Sequence, residues 1–311
     1  MPHRTRRASP QLQLDPTWTT KHTATLRLAE AYDAIGLPSN GARCRTCGIG
    51  ILYLESPAHG RQSLAAAHFC RDRLCPTCSW RRSRRLSAQA DNVLRAATAA
   101  HPSRSFVLLT LTQRNVPGEA LPLEISRILT GWRLLTRKTE FSEIAGWFRS
   151  VEITYNENDR SWHPHIHSLL WTRPSYWGRG YVSHARWVLA WRTALSLTYD
   201  PVIDVHRVRP RRNGDPLGAA AREVAKYTVK DSDLLTGEDV PYRVKSLHDA
   251  LAGRRLTAWG GELRHVAHLN RAPPPRDRSH CSDCGSALES HSYAWVAGDS
   301  AYFRVPEYSP S

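Results

Sequence analysis

His165 and His167 stand one residue apart in Trp162-His163-Pro164-His165-Ile166-His167-Ser168-Leu169-Leu170-Trp171. The stretch reads as a β-strand, in which alternate side chains share a face, so the two imidazoles converge about 7 Å apart along the chain. Two neutral imidazole nitrogens so placed suit a divalent cation. Among fifteen histidines, a His-x-His pair is a weak signal alone, and its neighbours promote it. The stretch from Trp147 to Tyr155 alternates and carries Glu152 between Val151 and Ile153. Asn156-Glu157-Asn158-Asp159-Arg160 then supplies turn residues, which predicts an antiparallel hairpin. A carboxylate on the neighbouring strand would complete a two-histidine, one-acid metal site with open positions. The competing role for Glu152 is a solvent-facing strand position.

Cysteine supplies a second chemistry. Cys44 and Cys47 form one C-x-x-C pair, Cys75 and Cys78 another, with Cys70 between them. Two such knuckles separated by about thirty residues point to zinc, because paired thiolates from two turns close a tetrahedral site. Five cysteines compete for four places, with His68 nearby, and spacing alone leaves the choice open. A further knuckle, Cys281-Ser282-Asp283-Cys284, lies near the far end with no obvious partner pair. It can close a site with Cys44 or with His291, or stand as an unliganded turn.

A tyrosine supplies the third. The stretch from Leu217 to Lys230 is expected to be a helix, placing Glu223, Tyr227 and Lys230 at i, i+4 and i+7 on one face. Lys226 and Lys230 bracket the tyrosine and are two of only five lysines in the chain. A phenol is a poor nucleophile at its ordinary pKa; nearby ammonium groups and a metal-polarised phosphate would both activate it. An amphipathic helix with a half-buried tyrosine and an i,i+3 ion pair accounts for the same residues.

The elements around these groups read in a definite order. Ser105 to Thr112 is a buried strand, and Leu123 to Lys138 is helical. The Glu152 and histidine hairpin follows, then a helix from Ser183 to Leu197 and a strand from Val202 to Val208. This is βαββαβ, which predicts an α+β fold: a ferredoxin-like antiparallel sheet with helices on one face and the other face free for ligands. His206 on the last strand is a further polar group near that face. The expected organisation is a basic, partly disordered arm over 1–40, a zinc-binding segment with a basic helix over 41–102, the main domain over 103–270, and a tail over 271–311.

Charge points to the partner. The 311-residue chain carries 43 Lys and Arg against 28 Asp and Glu, a net +15, which suits a polyanion, with nucleic acid the leading candidate. Arg81 and Arg82, on the first turn of the helix after Cys78, and Arg211 and Arg212, in the loop from Arg209 to Pro216, are candidate phosphate contacts. No apolar run approaches a membrane span, and Arg6-Arg7 is not followed by an apolar signal region. A cytoplasmic protein with reduced or metal-bound cysteines is expected.

Three motifs carry a resemblance. Phe106 to Asn115 (FVLLTLTQRN), His163 to Leu170 (HPHIHSLL) and Glu223 to Asp233 (EVAKYTVKDSD) are similar, in this order, to the motifs of rolling-circle plasmid replication initiators. These are HUH endonucleases of the single-tyrosine type. The run from Phe69 to Arg82 resembles the cysteine segment that precedes their nuclease, and Leu251 to Gly261 resembles their closing segment. The resemblance spans about residues 44–270. It implies that His165 and His167 bind Mg or Mn with Glu152 as third ligand, and that Tyr227 attacks single-stranded or supercoiled plasmid origin DNA. A 5′-phosphotyrosine and a free 3′-OH would result, to be used by a host polymerase and helicase. Lys230 and Lys226 would position the phosphate, and Glu223 would activate water for the closing cleavage. The family pattern favours Cys47, Cys70, Cys75 and Cys78 as structural zinc ligands, leaving Cys44 and the tail knuckle as departures. A single-tyrosine transposase shares this chemistry but is usually smaller and lacks the cysteine segment. Relaxases place the tyrosine before the histidines. A non-catalytic zinc-ribbon protein would bind nucleic acid without forming any covalent adduct.

Overall fold

The computed structural model describes residues 14–209, 214–226, 228–270 and 279–305. Tyr227, Arg211 and Arg212, singled out above, lie outside the described residues, as do residues 1–13. In chain order the helices are α1 (Thr17–Ala34), α2 (Pro38–Arg45), α3 (Pro76–Ala100), α4 (Leu121–Leu135), α5 (His184–Ala194), α6 (Pro216–Val224), α7 (Asp231–Leu235), α8 (Val240–Leu251) and α9 (Glu262–Leu269). The strands are β1 (Gly50–Glu55), β2 (Gln62–Ala67), β3 (Ser105–Leu111), β4 (Ile144–Asn156), β5 (Ser161–Thr172), β6 (Ile203–Arg207), β7 (Thr257–Gly261), β8 (Glu289–Val296) and β9 (Ala301–Val305).

The larger sheet runs β6-β3-β5-β4-β7, and every neighbouring pair is antiparallel. One face carries Val107, Leu109, Leu111, Val151, Ile153, Ile166 and Leu170, which pack with Ile125 and Trp132 of α4 and Trp187 and Trp191 of α5. The opposite face is not free, contrary to the sequence expectation. Phe106, Phe148, Leu169 and Trp171 occupy one end of it, beneath small residues of α3, α6 and α9 such as Ala90, Ala97, Ala221 and Ala267. Both faces carry large apolar side chains, so both need cover; the alanines let the second helical layer approach closely. The polar residues of that face lie at its other end.

The helix expected to run to Lys230 stops at Val224. Beyond it the backbone meets the outer edge of β4. The Val224 carbonyl accepts from Ser150 Oγ at 2.5 Å, and the Thr228 carbonyl accepts from the Ile153 N–H at 2.7 Å. β7 covers β4 only from Gly146 to Ser150, so the amides beyond would otherwise be orphaned. Leu256 takes the Val151 N–H and Thr228 takes the next. The β-branched pair Thr228-Val229 favours this departure from helix. Glu223 and Lys230 therefore do not share a helix face; Lys230 precedes α7 as its N-cap residue.

The smaller sheet runs β2-β1-β8-β9, joining two ends of the chain that the sequence reading kept apart as cysteine segment and tail. Ile51 pairs with Tyr293, and both pack with Trp18 and Trp80. Trp18 falls within the stretch expected to be disordered. It is fully buried in α1, with its indole N–H donating to Tyr53 Oη at 2.8 Å. α1 also reaches the main body, where Lys21 pairs with Asp231 at 2.5 Å.

A tight strand crossing makes a stability prediction. A Cβ on Gly260 would fall 2.2 Å from the Trp147 ring, and that ring is held edge-on by Trp132. Gly260→Ala should cost about 1–3 kcal/mol through overpacking, read as a lowered urea midpoint with an unchanged slope.

Candidate metal centres and nucleic-acid site

The polar end of the second sheet face holds the first cluster. In the β4–β5 register Glu152 is directly opposite His165, and His167 lies between Ser150 and Thr110 of the flanking strands. Glu152 Oε2 lies 2.8 Å from His167 Nε2 and 3.3 Å from His165 Nε2. All three residues are buried, with exposures of 5–8%. His165 Nδ1 is 3.1 Å from the His163 carbonyl, and the Nε2 atoms of both rings face the Glu152 carboxylate. A carboxylate and two imidazole nitrogens converging in a buried site suit a cation between them. Thr110 Oγ1, 3.1 Å from His167 Nδ1, orients the second ring as such partners orient metal-bound histidines. Burial alone would raise the Glu152 pKa, but its contacts with the two imidazoles override this and hold the carboxyl well below its ordinary range. The group is ionised at neutral pH. Its residue types and convergence fit a divalent cation, with coordination positions left over.

The histidine–acid pairing expected from the sequence is thus brought together in space. His206 is not part of it: it pairs with Asp204 at 3.1 Å, and both side chains are more than half exposed. His163 stands beside His165 with ring centroids 5.3 Å apart. Burial foremost, and then the neighbouring His165, lower its pKa. Sequence reasoning missed Thr110 and Ser150, which show themselves only once the strand register is known. Glu223 is paired with Lys226.

Four thiols form the second cluster: Cys47, Cys70, Cys75 and Cys78, all buried. Their Sγ separations of 3.5 Å (Cys47–Cys78), 3.6 Å (Cys47–Cys75) and 3.7 Å (Cys70–Cys78) are near the roughly 3.8 Å that tetrahedral zinc with 2.3 Å bonds requires. The backbone N–H of Arg71 points at Cys78 Sγ (3.3 Å) and that of Cys78 at Cys75 Sγ (3.5 Å), contacts that favour thiolate. Cys75 is the N-cap of α3, so helix and metal-ligand geometry begin at the same residue. Cys44 is fully buried beside Cys70 and Cys75 but lies outside the set of four. His68 turns to the Thr46 carbonyl instead, at 2.8 Å.

Of the candidate phosphate contacts, Arg81 is half-buried, its guanidinium 5.6 Å from the Trp80 ring centre and 5.9 Å from that of Trp18. Arg82 is exposed. No helix among the described residues is long and apolar enough to cross a membrane.

Comparison with known proteins gives the family. The family model described as "Replication protein" matches residues 61–303. The chain is 35% identical over 273 residues to "Protein rep" of Bacillus amyloliquefaciens, covering 80% of each chain. It is 36% identical over 257 residues to "Protein rep" of Lactiplantibacillus plantarum, again covering 80% of each. It is 32% identical over 259 residues to "Protein rep" of Streptococcus pneumoniae, covering 81% of this chain and 79% of the relative. No solved structure matches. With a family match over most of its length and relatives above 30% identity along four-fifths of it, the chain belongs to the replication-protein family, the rolling-circle plasmid initiators.

Proposed function

We propose that this chain starts rolling-circle replication by nicking one strand of single-stranded origin DNA with Tyr227, assisted by a divalent cation. The observation that carries the reading is the convergence of Glu152, His165 and His167 on one sheet face, with the Val224 and Thr228 carbonyls, before and after position 227 in sequence, hydrogen-bonded to the same strand as Glu152. The order β6-β3-β5-β4, with α4 and α5 as connections, supports a ferredoxin-like βαββαβ core.

Glu152, His165 and His167 would hold Mg or Mn, and the bound ion supplies Lewis-acid polarisation of a non-bridging phosphate oxygen. The Tyr227 phenolic oxygen then attacks phosphorus. The P–O3′ bond breaks as the P–O bond to tyrosine forms, and the phenolic proton is balanced by protonation of the departing 3′-oxygen. A 5′-phosphotyrosine and a 3′-OH primer result, and the ester keeps the bond energy for later religation. Lys226 and Lys230 neutralise charge at the phosphate. Lys226 moving onto the phosphate would release Glu223 from its ion pair, leaving that carboxylate to activate water for the closing cleavage. Zinc on Cys47, Cys70, Cys75 and Cys78 is structural. Beside β7, a cavity of about 650 Å³ lined by Arg255, Arg264, His265, His268 and Trp259 suits a single strand through charge and stacking.

The test is a labelled single strand from the replicon's origin, incubated with the protein and Mn and run on a denaturing gel. A covalent adduct is expected, whereas binding without an adduct would favour a non-catalytic DNA-binding protein. Tyr227→Phe should bind equally well and form no adduct; an adduct in this variant places the nucleophile elsewhere. His167→Ala and Glu152→Gln should each slow adduct formation about a thousandfold, the equivalent of several kcal/mol of lost charge stabilisation. Chelation should do the same reversibly. Cys75→Ser should lose bound zinc and melt at lower temperature, because ligand binding at such sites is folding energy; a variant that melts like the parent removes zinc from the folding argument.

A further inference from the structure

The tail knuckle finds its partner in a segment that the sequence reading did not consider. His291 is engaged elsewhere, its Nδ1 receiving Arg304 at 2.6 Å and its Nε2 lying 3.5 Å from Glu55. Cys44 is buried beside the other cluster. Instead, the β1–β2 turn brings His59 Nε2 to 3.3 Å from Cys281 Sγ. The donor atoms of His59, Cys281 and Cys284 all lie within 4.8 Å of one another. We propose that these three side chains form a second zinc site that fastens the β1–β2 turn to the tail.

The geometry and the chemistry agree. Zinc with a 2.3 Å sulfur bond and a roughly 2.05 Å nitrogen bond at a tetrahedral angle sets its S and N ligands about 3.5 Å apart. Two thiolates and one neutral imidazole balance the charge of Zn²⁺, and soft sulfur with imidazole selects zinc over Mg or Ca. Three protein ligands leave one tetrahedral position to solvent. Both C-x-x-C stretches are followed by a glycine at positive φ. Cys281-Ser-Asp-Cys284-Gly285 has Gly285 at φ +71°, and Cys44-Arg-Thr-Cys47-Gly48 has Gly48 at φ +78°. In each, glycine in the left-handed region lets the chain turn sharply after the second cysteine. The Gly285 N–H closes onto the Cys281 carbonyl at 2.9 Å and the Cys281 N–H onto the Ser286 carbonyl at 2.8 Å.

The two turns are held together independently of any ion. Arg61 pairs with Asp283, and Ser56 Oγ lies 3.1 Å from Ser286 Oγ. The ligands are therefore pre-positioned, which reduces the ordering cost of binding. A small sheet whose packing rests on Trp18, Ile51, Trp80 and Tyr293 gains a cross-link between its β1–β2 turn and the tail. This inference does not depend on the nicking chemistry.

Metal content of the full chain, purified under reducing conditions without chelator, tests it. Zinc per chain should fall by one equivalent in Cys281→Ser/Cys284→Ser and in His59→Ala. The exposed His59 side chain keeps the second variant informative if the first folds poorly. Replacement of zinc by Co²⁺ should give thiolate-to-metal charge-transfer absorption that weakens in both variants. Limited proteolysis should cut the turn between β1 and β2 faster in both. Unchanged zinc content in the His59 variant, or a Cys281–Cys284 disulfide in the reduced protein, would overturn the proposal.

Discussion

The cross-strand pairing of Glu152 with His165 is the constraint on which the rest depends. Side chains on paired strands alternate with period two, so a one-residue slip between β4 and β5 would turn the carboxylate away from both histidines. The same slip would expose Val151, Ile153 and Ile166 to water. Hydrophobic burial on one face thus enforces the ligand geometry on the other, and the long hairpin has every reason to keep its register. The Glu152 carboxylate is held against the two imidazoles, at the opposite end of the face from the part packed beneath α3, α6 and α9.

Where local pattern determined the outcome, the sequence was readable. The hairpin, the strand over Ser105–Leu111 and the helices α4 and α5 follow from alternation and helical periodicity, and their observed bounds differ by only a few residues from those expected. The five cysteines read correctly as a cluster for the same reason: the C-x-x-C spacing is a local geometric device. Spacing left the choice of four open; the family resemblance favoured Cys47, Cys70, Cys75 and Cys78, and the fold brings these together with Cys44 to one side.

What failed was non-local. Residues 217–230 look helical in isolation, yet the open edge of β4 draws Thr228 into a backbone hydrogen bond, a demand set by a distant strand to which the β-branched Thr228-Val229 is only a weak local pointer. The covered second face went unseen because the apolar stripe of α3 has no visible partner in sequence; it is the accumulation of Phe106, Phe148, Leu169 and Trp171 on one side that requires it. Trp18 was lost among polar neighbours, although a tryptophan in an otherwise polar arm is itself a hint of burial.

The small sheet bears on how the molecule comes into being. β1 lies between β2, its immediate successor, and β8, from the far end of the chain, so Ile51 sits beside Tyr293. A nascent chain can gather Cys47, Cys70, Cys75 and Cys78 early, yet β1 keeps one unpaired edge until β8, far along the chain, has been synthesised. Late closure of this kind ties completion of the small sheet to synthesis of β8. A product terminated before β8 would carry the metal ligands of β4 and β5 on a body with an open, sticky edge, a species for quality control rather than for the replicon.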